Sequence, residues 1–299
     1  MDFDGDGCDD ILTGSYWPGH LYFFRGTGDG KFEKGRILED AKGEKLHAGG
    51  TWKSEREYDS ESLASVPFAI DFDGDGDLDL LVGNINGRVI LIPNEGSAKK
   101  PAFDREKRRA LEAGGKELKV AGDSGPVVAD WDQDGVPDLV VGAGDGAVHF
   151  FRNAGTKKEP RYAEGVLLLP ASKQSYSKPV PNGGAPESPG TRTKVCVADW
   201  DGDGRLDLLV GDLWYEKAPD RKLTEAQAKR LADLRKKEED LSAEAERIEE
   251  KLGEEEAKKD KRLKEIYQEL GRIFAERSKL ESHPTARGSV WLCLRKKGR

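Results

Sequence analysis

Four times in 299 residues the chain repeats the nine-residue phrase Asp-x-Asp-x-Asp-Gly-x-x-Asp. The copies are Asp2, Asp4, Asp6, Gly7, Asp10; Asp71, Asp73, Asp75, Gly76, Asp79; Asp130, Asp132, Asp134, Gly135, Asp138; and Asp199, Asp201, Asp203, Gly204, Asp207. Two like charges ~4 Å apart cost about 1 kcal/mol in water and about 4 at an effective dielectric of 20, so four carboxylates in one loop call for a counter-ion. Carboxylate oxygens at alternate positions, joined by the backbone carbonyl of Cys8, Asp77, Val136 or Arg205 at position seven, form an all-oxygen shell without nitrogen or sulfur. Such a shell, with room for about six or seven contacts, suits calcium better than magnesium. Glycine at position six permits the turn that returns the ninth residue to the ion, because a residue without a β-carbon adopts positive φ freely. These loops are not EF-hands, which need a bidentate Glu at position twelve; Thr13, Val82, Val141 and Val210 stand there. The ion is therefore expected to close on the ninth-position Asp, with about four calcium sites in all.

The flanking residues decide what positions the loops. Apolar runs precede them (Pro67 to Ile70, Val127 to Ala129, Val195 to Ala198) and follow them (Leu78 to Val82, Leu139 to Val141, Leu206 to Val210), so each loop is predicted to join two buried strands. The aromatic residue at position two, Phe3, Phe72, Trp131 or Trp200, should point away from the ion into the core. Gly-rich turns at Gly83–Gly87 and Gly142–Gly146 continue repeats two and three as hairpins. Then come Asn94-Glu95-Gly96 and Asn153-Ala154-Gly155, with the variant Gly26-Thr27-Gly28 in repeat one. Successive first aspartates are 69, 59 and 69 residues apart, room for about four strands each. One such sheet leaves a face uncovered, so neighbours must stack, as in a β-propeller.

With these residues in view, the chain resembles the FG-GAP or VCBS repeats of integrin α-subunit propellers and of many bacterial secreted proteins. The resemblance covers residues 1 to about 216 and 288 to 297 and rests on the four Asp loops, the Gly-rich turns and the Asn-x-Gly phrases. It implies a mainly β, calcium-braced propeller, extracellular, cell-surface or periplasmic, acting in adhesion, ligand binding or as a scaffold, and it assigns the metal role to the sixteen aspartates above. It names no ligand, protein or glycan. Asp9 stands where the other repeats carry Leu78, Pro137 and Leu206, which should weaken the following strand.

Repeats near 1–66, 67–126, 127–194 and 195–219 are expected, the first without a strand ahead of its loop and the last short of a fourth strand. About fourteen strands then make an incomplete set of blades, read as a portion of a larger propeller whose upstream blades and signal peptide would precede Met1; alternatively, repeats one and four share a blade. Residues 220–283 follow another rule. From Lys222 to Glu281 there is no proline, glycine occurs only at Gly253 and Gly271, and Leu231, Leu234, Leu241, Ala245, Ile248 and Leu252 fall at three- and four-residue steps. Leu263, Ile266, Leu270, Ile273 and Leu280 do the same in the second half. An antiparallel two-helix coiled-coil hairpin joined near Gly253 is predicted, capped by Thr224 with Gln227. It replaces the turn between Leu208–Gly211 and a returning strand at Ser289–Leu294 within residues 284–299. It reads as a solvated spike, or as a docking or self-association arm.

Charge and motif content narrow the function. The 16 basic and 17 acidic residues between Lys222 and Glu281 nearly cancel, and the whole chain carries a net charge of −8, which argues against a nucleic-acid partner. No apolar run of about 18 residues exists to enter a membrane. Cys8, Cys196 and Cys293 form no Cys-x-x-Cys pair; the last two read as small core residues. His20, His47, His149 and His283 read as turn or surface residues, with His20 and His149 at comparable hairpin positions. Gly122-Asp123-Ser124-Gly125 resembles a protease nucleophile segment but lacks an Ala-Ala-His-Cys partner. P-loop, His-Glu-x-x-His and Gly-x-Ser-x-Gly phrases are missing too, so no enzyme is expected. The rival reading is a carbohydrate-active propeller, a lectin or lyase, with sugar near Trp17, Trp52 or Trp214. The long connections 39–65 and 170–193 are the places for recognition loops.

Overall fold

A computed structural model of the chain describes residues 1–50, 52–54, 57–252, 257 and 259–296, and of residues 52–54 and 57 the backbone alone. The predicted joint at Gly253 and the Trp52 side chain lie outside the described residues. Two compact units are present, one of Met1–Lys178, Pro186–Trp214 and Arg287–Arg299, the other of Pro179–Ala185 and Tyr215–Ala286.

The first unit is mainly antiparallel β. Repeat one contributes β1 (Ile11–Gly14), β2 (Leu21–Phe24) and β3 (Arg36–Ile37), followed by a small hairpin of β4 (Trp52–Ser54) and β5 (Glu57–Tyr58). Repeat two forms a four-stranded sheet of β6 (Val66–Ile70), β7 (Asp79–Gly83), β8 (Val89–Ile92) and β9 (Arg109–Ala110), and β10 (Glu112–Ala113) pairs with β11 (Lys116–Glu117) beyond it. Repeat three forms another, β12 (Gly125–Ala129), β13 (Asp138–Gly142), β14 (Val148–Phe151) and β15 (Val166–Leu169). Repeat four has β16 (Thr191–Ala198) and β17 (Asp207–Glu216), and its third strand, β18 (Thr285–Cys293), arrives after two helices. Repeats one and four form separate sheets, so the shared-blade alternative is overturned among the described residues.

Register explains why the Asp loops sit where they do. Ile70 faces Asp79, Ala129 faces Asp138 and Ala198 faces Asp207 across their ladders. In repeats two to four the ninth Asp is thus the first residue of the returning strand and the loop is the connection of an antiparallel pair; in repeat one Asp10 lies just ahead of β1.

Successive residues of a strand point to opposite faces, and in the middle sheets both faces are apolar and covered. Leu80, Val82, Ile90 and Ile92 pack with Phe3, Leu21 and Phe23 of repeat one, while Leu81, Val89, Leu91 and Phe72 pack with Leu139, Val141 and Phe151 of repeat three. Val140 and Val148 in turn meet Leu208, Val210 and Val195 of repeat four. The four sheets therefore stack in series, each middle sheet giving alternate residues of its strands to the core on one side and the remaining ones to the core on the other.

The second unit holds α1 (Glu225–Leu252) and α2 (Lys261–Leu280). The predicted capping box is formed: Thr224 N–H donates to Gln227 Oε1 at 2.9 Å and Gln227 N–H donates to Thr224 Oγ1 at 3.3 Å. Asp260 caps α2 by accepting from Leu263 N–H at 2.7 Å. Ala245, Ala257, Leu263 and Ile266 make the seam, with Leu241, Ile248 and Leu270 half-buried against it. Interhelical pairs such as Arg230–Glu276 and Arg262–Glu244, each 2.7 Å, lie in solvent and set register more than stability. Among the described residues no helix is long and apolar enough to cross a membrane.

Candidate functional site

Each of the four loops draws three carboxylates together, with one oxygen from each within 4.8 Å of the others. The groups are Asp2, Asp4 and Asp6; Asp71, Asp73 and Asp75; Asp130, Asp132 and Asp138; and Asp199, Asp201 and Asp203. The turn uses left-handed backbone at position six, where φ is 91° at Gly7, 99° at Gly76, 89° at Gly135 and 84° at Gly204. Position four is left-handed as well, and there Gln133 carries φ of 64° without being glycine. Sequence reasoning passed over this second requirement, although glycine at position four in the other three copies signalled it.

The position-five carboxylate accepts the backbone N–H of position seven in every copy: Cys8 to Asp6 at 2.8 Å, Asp77 to Asp75 at 3.0, Val136 to Asp134 at 2.9 and Arg205 to Asp203 at 3.0. That bond holds Asp6 and Asp134 below the usual carboxylate range.

Position nine has a role the sequence did not disclose. Both oxygens of each ninth-position Asp accept main-chain hydrogen bonds that tie the loop to the sheet. Asp10 takes Phe3 N–H and Gly26 N–H, both at 2.8 Å. Asp79 takes Phe72 N–H at 3.0 Å and Asn94 N–H at 2.7. Asp138 takes Trp131 N–H at 3.1 Å and Asn153 N–H at 2.7. Asp207 takes Trp200 N–H at 3.0 Å and Arg295 N–H at 2.7. All four are buried. Burial pushes the Asp79 carboxyl up to about 6 against the pull of its two N–H donors, and raises Asp138 as well; at Asp207 the Arg295 N–H prevails and the shift is downward. Of these four, Asp138 alone also stands among three clustered carboxylates.

The Asn-x-Gly phrase completes this clip. Asn94 Oδ1 accepts Gly96 and Ala102 N–H, and Asn153 Oδ1 accepts Gly155 and Arg161 N–H, at 2.8 to 3.0 Å. Each Asn Nδ2 donates back to the residue ahead of the ninth Asp, Leu78 or Pro137. The constant 15-residue interval from Asp79 to Asn94 and from Asp138 to Asn153 was the available signal.

Counter-charge is uneven. Arg25 bridges Asp4 and Asp6, at 2.8 Å each, and Arg152 bridges Asp132 and Asp134 at 2.6 and 2.8 Å; Arg205 pairs with Asp203. Pro93 takes the corresponding strand position in repeat two, and among the described residues Asp71, Asp73 and Asp75 have no ion pair. Asp77 rises through burial and then through these three neighbours. Asp4 Oδ1, Asp71 Oδ1, Asp77 Oδ1 and Asp130 Oδ1 are buried oxygens with no hydrogen-bond partner. An oxygen-only donor set with orphaned carboxylate oxygens fits a hard divalent cation.

Several side chains depart from expectation. Phe3, Phe72 and Trp131 are buried, but Trp200 is 60% exposed, because among the described residues no further sheet packs on repeat four. Cys196 is exposed for the same reason, while Cys293 is half-buried against the core. His20 and His47 are buried, not surface residues. Ser124 is a buried structural hydroxyl: it accepts Asn84 N–H at 2.9 Å and donates to Arg88 C=O at 2.5 Å. Trp214 Nε1 donates to Ser289 Oγ at 2.9 Å, and Trp17 is exposed in a turn. Beside the second loop a cleft of about 570 Å³ opens between repeats two and three, lined by Phe72, Asp73, Arg109, Lys158 and Tyr162 among others.

The FG-GAP-like repeat family matches the chain three times, over residues 2–82, 71–141 and 130–210. Each match starts at the first Asp of one loop and ends in the strand after the next, so the loops mark the period. These matches span more than half of the chain, which belongs to the FG-GAP-like repeat family. The search of curated proteins and that of solved structures returned no match.

Proposed function

We propose that the protein is a calcium-binding β-propeller module serving as a non-enzymatic binding, adhesion or interaction scaffold of an exported protein. The observation that carries this reading is the fourfold gathering of three carboxylates within 4.8 Å, with orphaned oxygens in the first three loops. Residues at positions one, three and five, or in the third loop one, three and nine, with the carbonyls of Cys8, Asp77, Val136 and Arg205, would hold the ion, and the main-chain bonds to position nine would hold the loop. The ion supplies charge neutralisation where strands meet; the chain's own residues supply the rigid frame on which the connections 39–65 and 170–193 are displayed.

Titration calorimetry of the full chain should show about four calcium equivalents. Each site at ten times its dissociation constant should add about 1.4 kcal/mol of stability, so melting should rise with calcium and fall on chelation. Absence of uptake, or melting indifferent to calcium, rejects the reading. The cleft beside Phe72 and Tyr162 favours a second one, a glycan-binding propeller, because it pairs aromatic surface with charged hydrogen-bonding groups. A glycan array run with and without calcium separates the two.

A further inference from the structure

The hairpin of α1 and α2 has two flanks beside its buried seam, and they are built differently. On one flank the helices are laced by ion pairs, Arg230–Glu276, Lys237–Glu269 and Arg262–Glu244. On the other, Arg235 meets Glu281 at 2.8 Å and Tyr267 OH donates to Glu249 Oε1 at 2.6 Å. Midway between those two rungs, seven residues from each along both helices, Ser242 stands opposite Phe274. Phe274 is 63% exposed and Tyr267 51%. A two-helix seam needs apolar residues at heptad positions a and d alone, whereas a further apolar row beside them is the pattern of a helix that buries a second face.

Gly271 lies on that flank between the two aromatic residues. Glycine weakens a helix interior relative to alanine, and a β-carbon added at Gly271 meets no atom within 4 Å beyond its own turn of helix, so nothing inside the hairpin calls for it. Glycine in such a place suits a close approach from outside. Ser278, seven residues on, is small as well. Two neighbouring rows therefore run along α2, one of Tyr267, Phe274 and Glu281, the other of Lys264, Gly271 and Ser278.

These rows complement themselves when reversed. With α2 antiparallel to the α2 of a second copy, about a two-fold axis level with the Arg272–Ile273 peptide, Phe274 falls on Gly271 of the second copy, Tyr267 on its Ser278 and Lys264 on its Glu281. Each contact is made twice, as an isologous interface requires: large side chain on small residue at the centre, opposite charges at the rim. Glu281 is already held by Arg235 and Arg277, so the rim pair steers register more than affinity. We infer that the protein forms a two-fold dimer through this face of α2, a second copy of the chain covering Phe274 and Tyr267. Four aromatic side chains, roughly 150 to 250 Å² each when fully buried, place the contact below about 1,200 Å², in the small and reversible class. It rests on helix packing and needs neither ion nor sugar.

Sedimentation equilibrium of the full chain from about 5 to 200 µM, a range that spans a micromolar dissociation constant, should show the mass rising from one chain towards two. Phe274→Ser, at a side chain already facing solvent, should raise the dissociation constant at least about tenfold. Gly271→Gln is the sharper probe, because its two effects run in opposite directions: better helix propensity should hold or raise the melt at 222 nm, while the filled space should raise the dissociation constant at least about tenfold. A purely internal role for Gly271 would lower the melt instead. A parent that stays monomeric at about 200 µM, which leaves the face to a helix of another protein, overturns the inference. So does a dimer that neither variant weakens, since its contact lies on another surface.

Discussion

Within one loop, aspartates of identical type do two kinds of work, and mutation should separate them. Asp138 is fully buried and satisfies Trp131 and Asn153 N–H; removing it leaves two main-chain donors unpaired. Asp138→Ala should cost about 2 to 5 kcal/mol in urea unfolding even without calcium. Asp132→Ala, which gives up its place among the clustered carboxylates and an exposed partner in Arg152, should leave metal-free stability close to the parent and weaken calcium binding at that loop by calorimetry. A second residue-scale expectation concerns His47, whose ring nitrogens have no hydrogen-bond partner among the described residues. Burial, then the nearby Arg108 charge, lowers its pKa from 6.5 to about 4. The unfolded chain therefore takes up this proton first, and the stability His47 confers is intact above pH 6.5 and lost as pH falls towards 4. That contribution is at most about 3 kcal/mol; comparing unfolding free energies at pH 7 and 4.5 for the parent and His47→Gln measures it, and a variant with the parent's pH slope refutes it. Residue type and period made the aspartates legible. Division of labour among them was not, because it depends on N–H groups brought in by strand pairing, such as that of Gly26, 16 residues beyond Asp10. Arg25 and Arg152 escaped notice for the same reason: each reaches its aspartates only once the third strand lies alongside.

At the level of elements, the loop, the two strands it joins and the Asn-x-Gly clip form one unit, and its parts were readable because apolar runs flank each loop. The helical insertion was readable through its leucine spacing and its lack of proline. What single-strand patterns could not show is which faces end up covered: Cys196 and Trp200 carry the same local signals as buried residues elsewhere, and their exposure follows from having no sheet beyond them among the described residues. Buried histidines were missed because His20 and His47 lie in connections, and only the return of residues 38–48 over β2, through Leu21 N–H to Leu46 C=O at 3.0 Å, encloses them. For the insertion the seam is thin. Ile266 is fully buried among Ala245, Ala257 and Leu263, and truncating such a residue typically costs 2 to 5 kcal/mol. Ile266→Ala should accordingly lower the helical melt at 222 nm while leaving calcium stoichiometry at the parent value; a variant that melts with the parent would mean the seam carries little of the hairpin's stability.

For the whole molecule, electrostatics gives the broadest test, because the acidity has a specific location. The net charge is −8, the stretch from Lys222 to Glu281 accounts for only −1 of it, and the sixteen loop aspartates are the concentrated source. Self-repulsion of that kind works against a compact state, and the chain answers it in part with Arg25, Arg152 and Arg205, leaving the second loop without an ion pair among the described residues. Four divalent cations would add eight positive charges and bring the formal total close to zero. Free-solution electrophoresis at pH 7 and low ionic strength, where screening is weak, should therefore show the mobility of the chelated protein collapsing towards zero as calcium saturates the loops. Magnesium, smaller and slower to shed its waters, should need far higher concentration to do the same. A mobility that stays at its chelated value would mean that the acidity is solvated by water and mobile ions alone, and the fourfold repeat would then have to be explained by backbone turns without a metal.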